Sequence, residues 1–187
     1  MKNIYKYLLN LLFPKKCINC GRENSFLCED CLSLIEINQI DYCACAQNPI
    51  KNKLKCENCP QKISGVFTVL NEKQKLSQNL FLKSKLIPEL NMYFSYLIIS
   101  YLKKITTFDL NDDFNFFYTN EDVKKITENL SQFTKIPINK KSKNILLITK
   151  KYPDEGILEI IQNLEAKNIY IVTLFREIKK YQNESQF

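Results

Sequence analysis

Short apolar runs alternate with amphipathic stretches over the last two thirds of the chain. The run SGVFTVL (residues 64–70) is rich in β-branched residues and predicts a strand, and FNFFYT (114–119) alternates too little for an edge strand, which favours a buried one. Two further strands are predicted over NILLIT (144–149) and IYIVTLFRE (169–177). Because strands and helices alternate, we expect a parallel sheet with right-handed crossovers.

Amphipathic periodicity predicts the helices, and Asn120 is the predicted N-cap of the third. We expect the aromatic residues and leucines of these elements in the core rather than in a stacking platform. The helices are EKQKLSQNLFLKSK (72–85), IPELNMYFSYLIISYLKKI (87–105), NEDVKKITENLSQFTKI (120–136) and EGILEIIQNLEAKN (155–168). The predicted apolar stripe of the third helix is Val123, Ile126, Leu130 and Phe133.

The cysteines are segregated in the first third of the chain. All eight lie between Cys17 and Cys59, which defines a separate module. We therefore place an N-terminal helix and a cysteine-rich module in residues 1–62, and an α/β domain in residues 63–187. With 45% hydrophobic and 12% aromatic residues, the chain can bury a core in that domain.

The first four cysteines read CINCGRENSFLCEDC, which is two C-x2-C pairs separated by seven residues. Two residues between cysteines let both thiolates reach one ion, and four such ligands complete a tetrahedral zinc shell that leaves no position for water. Gly21 follows Cys20 where a tight turn needs a permissive backbone. A structural zinc site is therefore predicted from Cys17, Cys20, Cys28 and Cys31.

The last four cysteines, in CACAQNPIKNKLKCENC, begin with a less regular C-x-C pair. This second site is expected to be distorted, to use only some of its thiolates, or to be empty, so one to two zinc ions are predicted per chain. Disulfides are the alternative, but paired C-x2-C spacing without a secretion signal favours metal. The second set is Cys43, Cys45, Cys56 and Cys59.

Composition removes several kinds of chemistry. The chain has no histidine and only three glycines, which excludes His-containing metal sites and argues against a Gly-rich nucleotide loop.

The formal charge is +7, and only Arg22 and Arg176 are arginines. The lysines either solvate the surface, as biased codon usage would produce, or serve an anionic partner. No stretch reaches the roughly 18 apolar residues of a membrane span, and a cytoplasmic protein is expected.

The order of features resembles the ComF (ComFC) family. LLFPKKC precedes the cysteine pairs, GVFTVLNEKQKLSQNLFLKSKL follows the module, and ILLITKKYPDEGILEIIQNLEAKNIYIVTLFRE comes near the end. The resemblance implies a type I phosphoribosyltransferase-like sheet behind a zinc module, and a link to DNA uptake in natural transformation. In the family, a motif such as DDVxTTGAT after the third strand binds phosphoribosyl pyrophosphate.

The corresponding residues of this chain do not match that motif. Thr149 and Lys150 stand in place of the two acids, Pro153 and Asp154 in place of the threonines, and Glu155 in place of the glycine, which a shift of one residue would replace by Gly156. Pro153 lacks an N–H, and the two acids repel phosphate while suiting the helix dipole. We therefore expect no catalytic residues, no phosphoribosyl pyrophosphate and no small-molecule substrate.

The expected function is DNA uptake through single-stranded DNA or through competence and DNA-processing proteins. The alternatives are an active phosphoribosyltransferase with a rebuilt site and a zinc-finger regulator of duplex DNA. The regulator is disfavoured because Arg22 is the only arginine of the cysteine module. The candidate DNA-binding residues are Lys73, Lys75, Lys83, Lys85, Lys140, Lys141, Lys143, Lys150 and Lys151.

Overall fold

The computed structural model describes residues 14–38, 41–42, 49–50, 63–104, 114–152 and 155–176. A short cysteine-bearing segment comes first, and strands and helices then alternate. The first elements are α1 (Glu29–Ser33), β1 (Asp41–Tyr42), β2 (Pro49–Ile50), β3 (Gly65–Thr68) and α2 (Lys75–Ser84). They are followed by a 3-10 turn (Pro88–Leu90), α3 (Asn91–Lys104), β4 (Phe114–Tyr118), α4 (Glu121–Thr134), β5 (Asn144–Tyr152), α5 (Glu155–Gln162) and β6 (Asn168–Arg176).

Four of these strands form one parallel sheet in the order β3–β6–β5–β4. The register places Thr68 beside Thr173 and Thr173 beside Thr149. Because every strand runs the same way, all four end at one edge of the sheet, which we call the carboxyl edge. The separate β1–β2 pair is antiparallel.

Helices cover both faces of the sheet, as a parallel sheet requires. On one face, Phe94 of α3 and Ile126 of α4 share a core with Leu146 of β5. On the other face, Ile157 of α5 packs with Ile171 of β6. The prediction of a cysteine module followed by an α/β domain with a parallel sheet and flanking helices is thus confirmed.

The described part of the cysteine module belongs to the first of these cores. Leu27 and Ile35 belong to the same buried cluster as the side chains of α3 and α4. The backbone continues this contact, since Asn38 N donates to Val69 O at 2.9 Å and Ile37 forms an antiparallel bridge with Leu70. The end of the described cysteine segment therefore pairs with the residues that follow β3.

Three details differ from the expectations. β5 continues to Tyr152 instead of ending at Thr149, because its last residues keep parallel pairing with Phe175 and Arg176. Asn120 occupies the N-cap position of α4, but its side chain makes no capping hydrogen bond. Phe133 is 41% exposed, so the predicted buried stripe is wrong at its last position.

The helices are short relative to a bilayer. α3 and α4 contain 14 residues each. In the part of the chain that the structure describes, no helix is long and apolar enough to cross a membrane.

Candidate metal centre and the carboxyl edge of the sheet

Four cysteines converge on one point. Their sulfur atoms all lie within 4.8 Å of one another, and the Sγ atoms of Cys20 and Cys28 are 3.6 Å apart. Zinc–sulfur bonds of about 2.3 Å in a tetrahedron require sulfurs about 3.8 Å apart. The donor set and its spacing therefore fit zinc, bound by Cys17, Cys20, Cys28 and Cys31.

Local backbone geometry brings the two pairs together. Gly21 has φ +76°, in the left-handed region that glycine tolerates, and its N–H donates to Cys17 O at 2.9 Å. Cys17 N in turn donates to Arg22 O at 2.7 Å, which closes the turn around the first pair. The predicted need for a permissive backbone at Gly21 is confirmed.

The thiols of Cys17 and Cys31 differ in how readily they ionise. Burial opposes ionisation of Cys17, but backbone N–H groups of Cys20, Cys28 and Asn19 outweigh it and lower the Cys17 pKa to about 6. For Cys31, the Asn19 amide favours the thiolate, but burial and hydrogen bonds from the other thiols raise the pKa to about 12. A zinc ion would displace the protons that these thiols otherwise share.

The single arginine of the module is already engaged. Arg22 forms an ion pair with Asp30, and this hydrogen bond raises the pKa of the guanidinium. An arginine held by a carboxylate of its own module is poorly placed to read a base edge, which weighs against the duplex-reading alternative.

Two polar contacts attach the metal centre to the helices. Tyr93 of α3 donates from its hydroxyl to Leu27 O at 3.2 Å, and burial raises the pKa of this hydroxyl. Lys83 of α2 donates from Nζ to Ile18 O, also at 3.2 Å. Lys83, a predicted DNA-binding residue, is therefore used in attaching the module.

The second predicted set lies outside the described residues. This holds for Cys43, Cys45, Cys56 and Cys59, so the number of zinc ions stays a prediction.

At the carboxyl edge, threonines form a row across the sheet. Thr68, Thr173 and Thr149 are neighbours in register, and the Thr119 hydroxyl donates to Thr149 Oγ1 at 3.3 Å. The Thr149 hydroxyl donates to Lys151 O at 3.2 Å, and Thr149 is fully buried. At Thr149, which the ComF resemblance aligns with the first acid of its motif, this chain holds a buried hydroxyl that bonds to its own backbone.

Phe81 of α2 covers the carboxyl ends of the central strands. Its ring is 2% exposed and packs edge-on against Phe175 of β6 and Phe94 of α3, at centroid distances of 5.9 and 5.8 Å. The ammonium groups of Lys150 and Lys85 lie 4.9 and 5.8 Å from the centre of the same ring. An aromatic side chain thus packs against the carboxyl end of β6, close to where ligands of open α/β sheets usually bind.

The other residues that the ComF resemblance aligns with its motif are described only in part. Pro153 and Asp154 lie outside the described residues, and of Glu155 the structure gives only its position at the start of α5. Gly156 is exposed in the first turn of that helix.

Six of the nine candidate lysines fall into two regions, while Lys73 and Lys75 are exposed near the start of α2 and Lys83 contacts the module. At the carboxyl edge, Lys85 pairs with Asp122 at 2.8 Å and Lys151 pairs with Glu72 at 3.1 Å. The loop of residues 135–143, which we call the basic loop, leads into β5 and contains no acidic residue. Its lysines are exposed and form no ion pair with another described residue; they are Lys135, Lys140, Lys141 and Lys143.

Comparison with known proteins identifies the first module. The sequence pattern of the double zinc ribbon domain matches residues 8–60, a range that includes all eight cysteines. The module is therefore similar to double zinc ribbons, in agreement with its converging sulfur atoms. No curated protein and no solved structure matches the chain at a significant level.

Two features of the structure were missed from the sequence. The edge-filling position of Phe81 requires the sheet order, which periodicity does not give. The exposed pair of Tyr96 and Phe133 was assigned to the core, although Tyr96 continues along its helix face to Ser100 and Lys103. These polar residues on the same helix face were the sequence signal that Tyr96 is exposed.

Proposed function

We propose that this protein is a catalytically silent relative of the ComF family, and that it acts in DNA uptake by binding single-stranded DNA. The order of a zinc-ribbon-like module followed by a parallel α/β sheet supports the family relationship. Protein partners of the uptake machinery are the second way in which the same scaffold would act.

The observation that carries the absence of catalysis is the filled carboxyl edge. Lys150 and Thr149 replace the ribose-binding acids, and Phe81 occupies the space above the strand ends. A sugar phosphate would have to displace a ring that is 2% exposed and packed on two other aromatic rings. Removing a buried Phe from such packing costs about 3–5 kcal/mol.

The basic loop is the strongest candidate for contact with DNA. Its four lysines lie within nine residues, and Lys143 O accepts from Lys167 N at 2.8 Å, which brings a fifth lysine to the same place. Lysine suits backbone phosphates because it is a flexible point charge without fixed bidentate geometry. The lysines of the carboxyl edge are less available, since Lys85 and Lys151 already have acidic partners.

The DNA proposal is tested by anisotropy titrations of a labelled oligonucleotide at several salt concentrations. We expect sequence-independent binding that weakens with salt, with a log–log slope of about −0.7 for each phosphate neutralised. Changing Lys140, Lys141 and Lys143 to Gln should lower affinity and reduce the slope by about 2. The matched control changes Lys85 and Lys151 to Gln and should leave the slope nearly unchanged. Absence of binding at low salt would refute DNA binding and leave protein partners.

The active-enzyme alternative is tested with phosphoribosyl pyrophosphate and magnesium. A ligand at 100 times its dissociation constant stabilises the folded state by about 2.7 kcal/mol, which a thermal melt detects easily. We expect no shift. A clear shift that disappears on substitution of Asp154 or Glu155 would establish the alternative.

A cellular test addresses the uptake role. Deleting the gene should abolish transformation by chromosomal DNA while growth in medium free of purines and pyrimidines stays normal. Normal transformation in the deletion strain would contradict the role in DNA uptake.

A further inference from the structure

Two aromatic side chains stack on each other at the protein surface. The rings of Tyr96 and Phe133 have centroids 4.8 Å apart and planes inclined by only 14°. The residues are 46% and 41% exposed. Met92, one turn before Tyr96, is 37% exposed and extends this apolar surface.

A buried hydroxyl next to Tyr96 joins the two helices that carry the pair. Ser95 is fully buried, and its hydroxyl contacts Asn91 O at 3.1 Å within α3 and Ile126 O at 3.0 Å on α4. This contact joins α3 to α4 beside Tyr96, two turns before Phe133. A preorganised aromatic surface binds with a smaller entropy cost than a mobile one.

Two lysines follow the pair towards the C-terminal ends of α3 and α4. α3 and α4 run in the same direction, because Lys85 before α3 pairs with Asp122 at the start of α4, and Ser95 contacts Ile126 nine residues before Lys135. Lys103 lies seven residues after Tyr96, on the same face of α3 and about 10 Å along its axis. Lys135 follows Phe133 by two residues and opens the basic loop.

These lysines are available to an anion. Lys103, Lys104 and Lys135 are exposed, and none of them forms an ion pair with any other residue that the structure describes. Flat aromatic surface beside unpaired lysines suits a strand that offers both base faces and phosphates. Duplex DNA fits less well because its bases are stacked inside the helix.

We propose that Tyr96 and Phe133 form a stacking platform for the bases of single-stranded nucleic acid, whose phosphates then follow Lys103, Lys104 and the basic loop. The inference rests on the proposed DNA function. It adds which surface binds the strand and that this surface recognises the bases. It also reverses the expectation that the aromatic residues serve the core alone.

The test compares a labelled oligothymidylate with an abasic strand of the same length and phosphate number. Wild type should prefer the strand that carries bases. Tyr96→Ala and Phe133→Ala should each weaken binding of this strand by about 5- to 140-fold, the equivalent of one stacked base. Neither variant should change the salt slope.

Two controls separate stacking from a purely structural role. Tyr96→Phe retains the ring and should retain the preference for bases, and Leu82→Ala removes an exposed apolar side chain on α2 without effect. Unchanged affinity of the two alanine variants for the abasic strand shows that they remain folded.

The outcomes distinguish the platform from the proposed function. If wild type binds both strands equally, or if both alanine variants keep the base preference, the platform is refuted while DNA binding stands. If wild type binds neither strand at low salt, both proposals fail. Equal binding of duplex and single strands also refutes the platform.

Discussion

The carboxyl edge of the sheet and the basic loop both contain several lysines, but these lysines have different neighbours. At the edge, Lys85 and Lys151 pair with Asp122 and Glu72, and Lys150 lies over the ring of Phe81. In the loop, the lysines are exposed and contact no acid that the structure describes. The number of lysines therefore says little about binding, because the neighbours of each ammonium group decide whether its charge is available.

The largest effect is expected from the four converging cysteines of the first module. Cys28→Ser should release zinc and unfold the module, because the Cys28 sulfur is one of the four that converge and Cys28 is also part of the core shared with α3. Structural zinc supplies roughly 10–16 kcal/mol in small zinc fingers, so the loss should exceed that of any other change given below. Metal analysis and thermal melting measure it.

Ser33→Ala, an exposed change on α1, is the control for the zinc prediction. A Cys28→Ser protein that keeps its zinc and its melting temperature would show that the four sulfurs do not form the site.

The next largest effect tests the packing of Phe81 at the carboxyl edge of the sheet. Phe81→Ala should cost about 3–5 kcal/mol in unfolding free energy, because it removes a buried ring that contacts Phe94 and Phe175. The adjacent Leu82→Ala should stay within about 0.5 kcal/mol, since Leu82 is 60% exposed. Urea denaturation of both variants gives the comparison. Equal values would mean that Phe81 does not fill the edge.

A smaller effect reports the attachment of the module to α3. Tyr93→Phe deletes the hydroxyl that donates to Leu27 O and should destabilise the protein by about 0.5–1.5 kcal/mol. Tyr96→Phe removes a hydroxyl at the exposed aromatic pair and should leave stability unchanged. If the two substitutions had the same effect on thermal melting, the Tyr93 contact would not attach the module.

The smallest effect distinguishes paired from unpaired lysines. Lys85→Met should lose about 0.2–1 kcal/mol at low salt, because its ion pair with Asp122 is partly exposed. This loss should shrink as salt screens the pair. Lys143→Met should cost nothing measurable at any salt concentration. A greater loss from Lys143 than from Lys85 would reverse the comparison.

Periodicity was sufficient for the sheet and the first metal site. All four strands lie where apolar runs predicted them, and C-x2-C spacing identified the sulfurs that converge. It failed where neighbours from distant segments decide. The residues Lys150 and Lys151 look like a polar loop, yet β5 continues through them because β6 offers a partner of matching length. Phe133 fits a helical stripe, yet its stack on Tyr96 lies at the surface.

The pairing of β3 also bears on how the chain folds. Among the strands of its sheet, β3 pairs only with β6. Thr68 of β3 pairs with Thr173 of β6, which is synthesised 105 residues later. At synthesis rates of about 5–20 residues per second, this strand stays unpaired for roughly 5–20 s. The first zinc ligands are complete by Cys31, and the chain after them bridges to Leu70 at the end of β3. Early metal loading would therefore shield an apolar strand on the ribosome, and zinc shortage should appear first as aggregation of nascent chains.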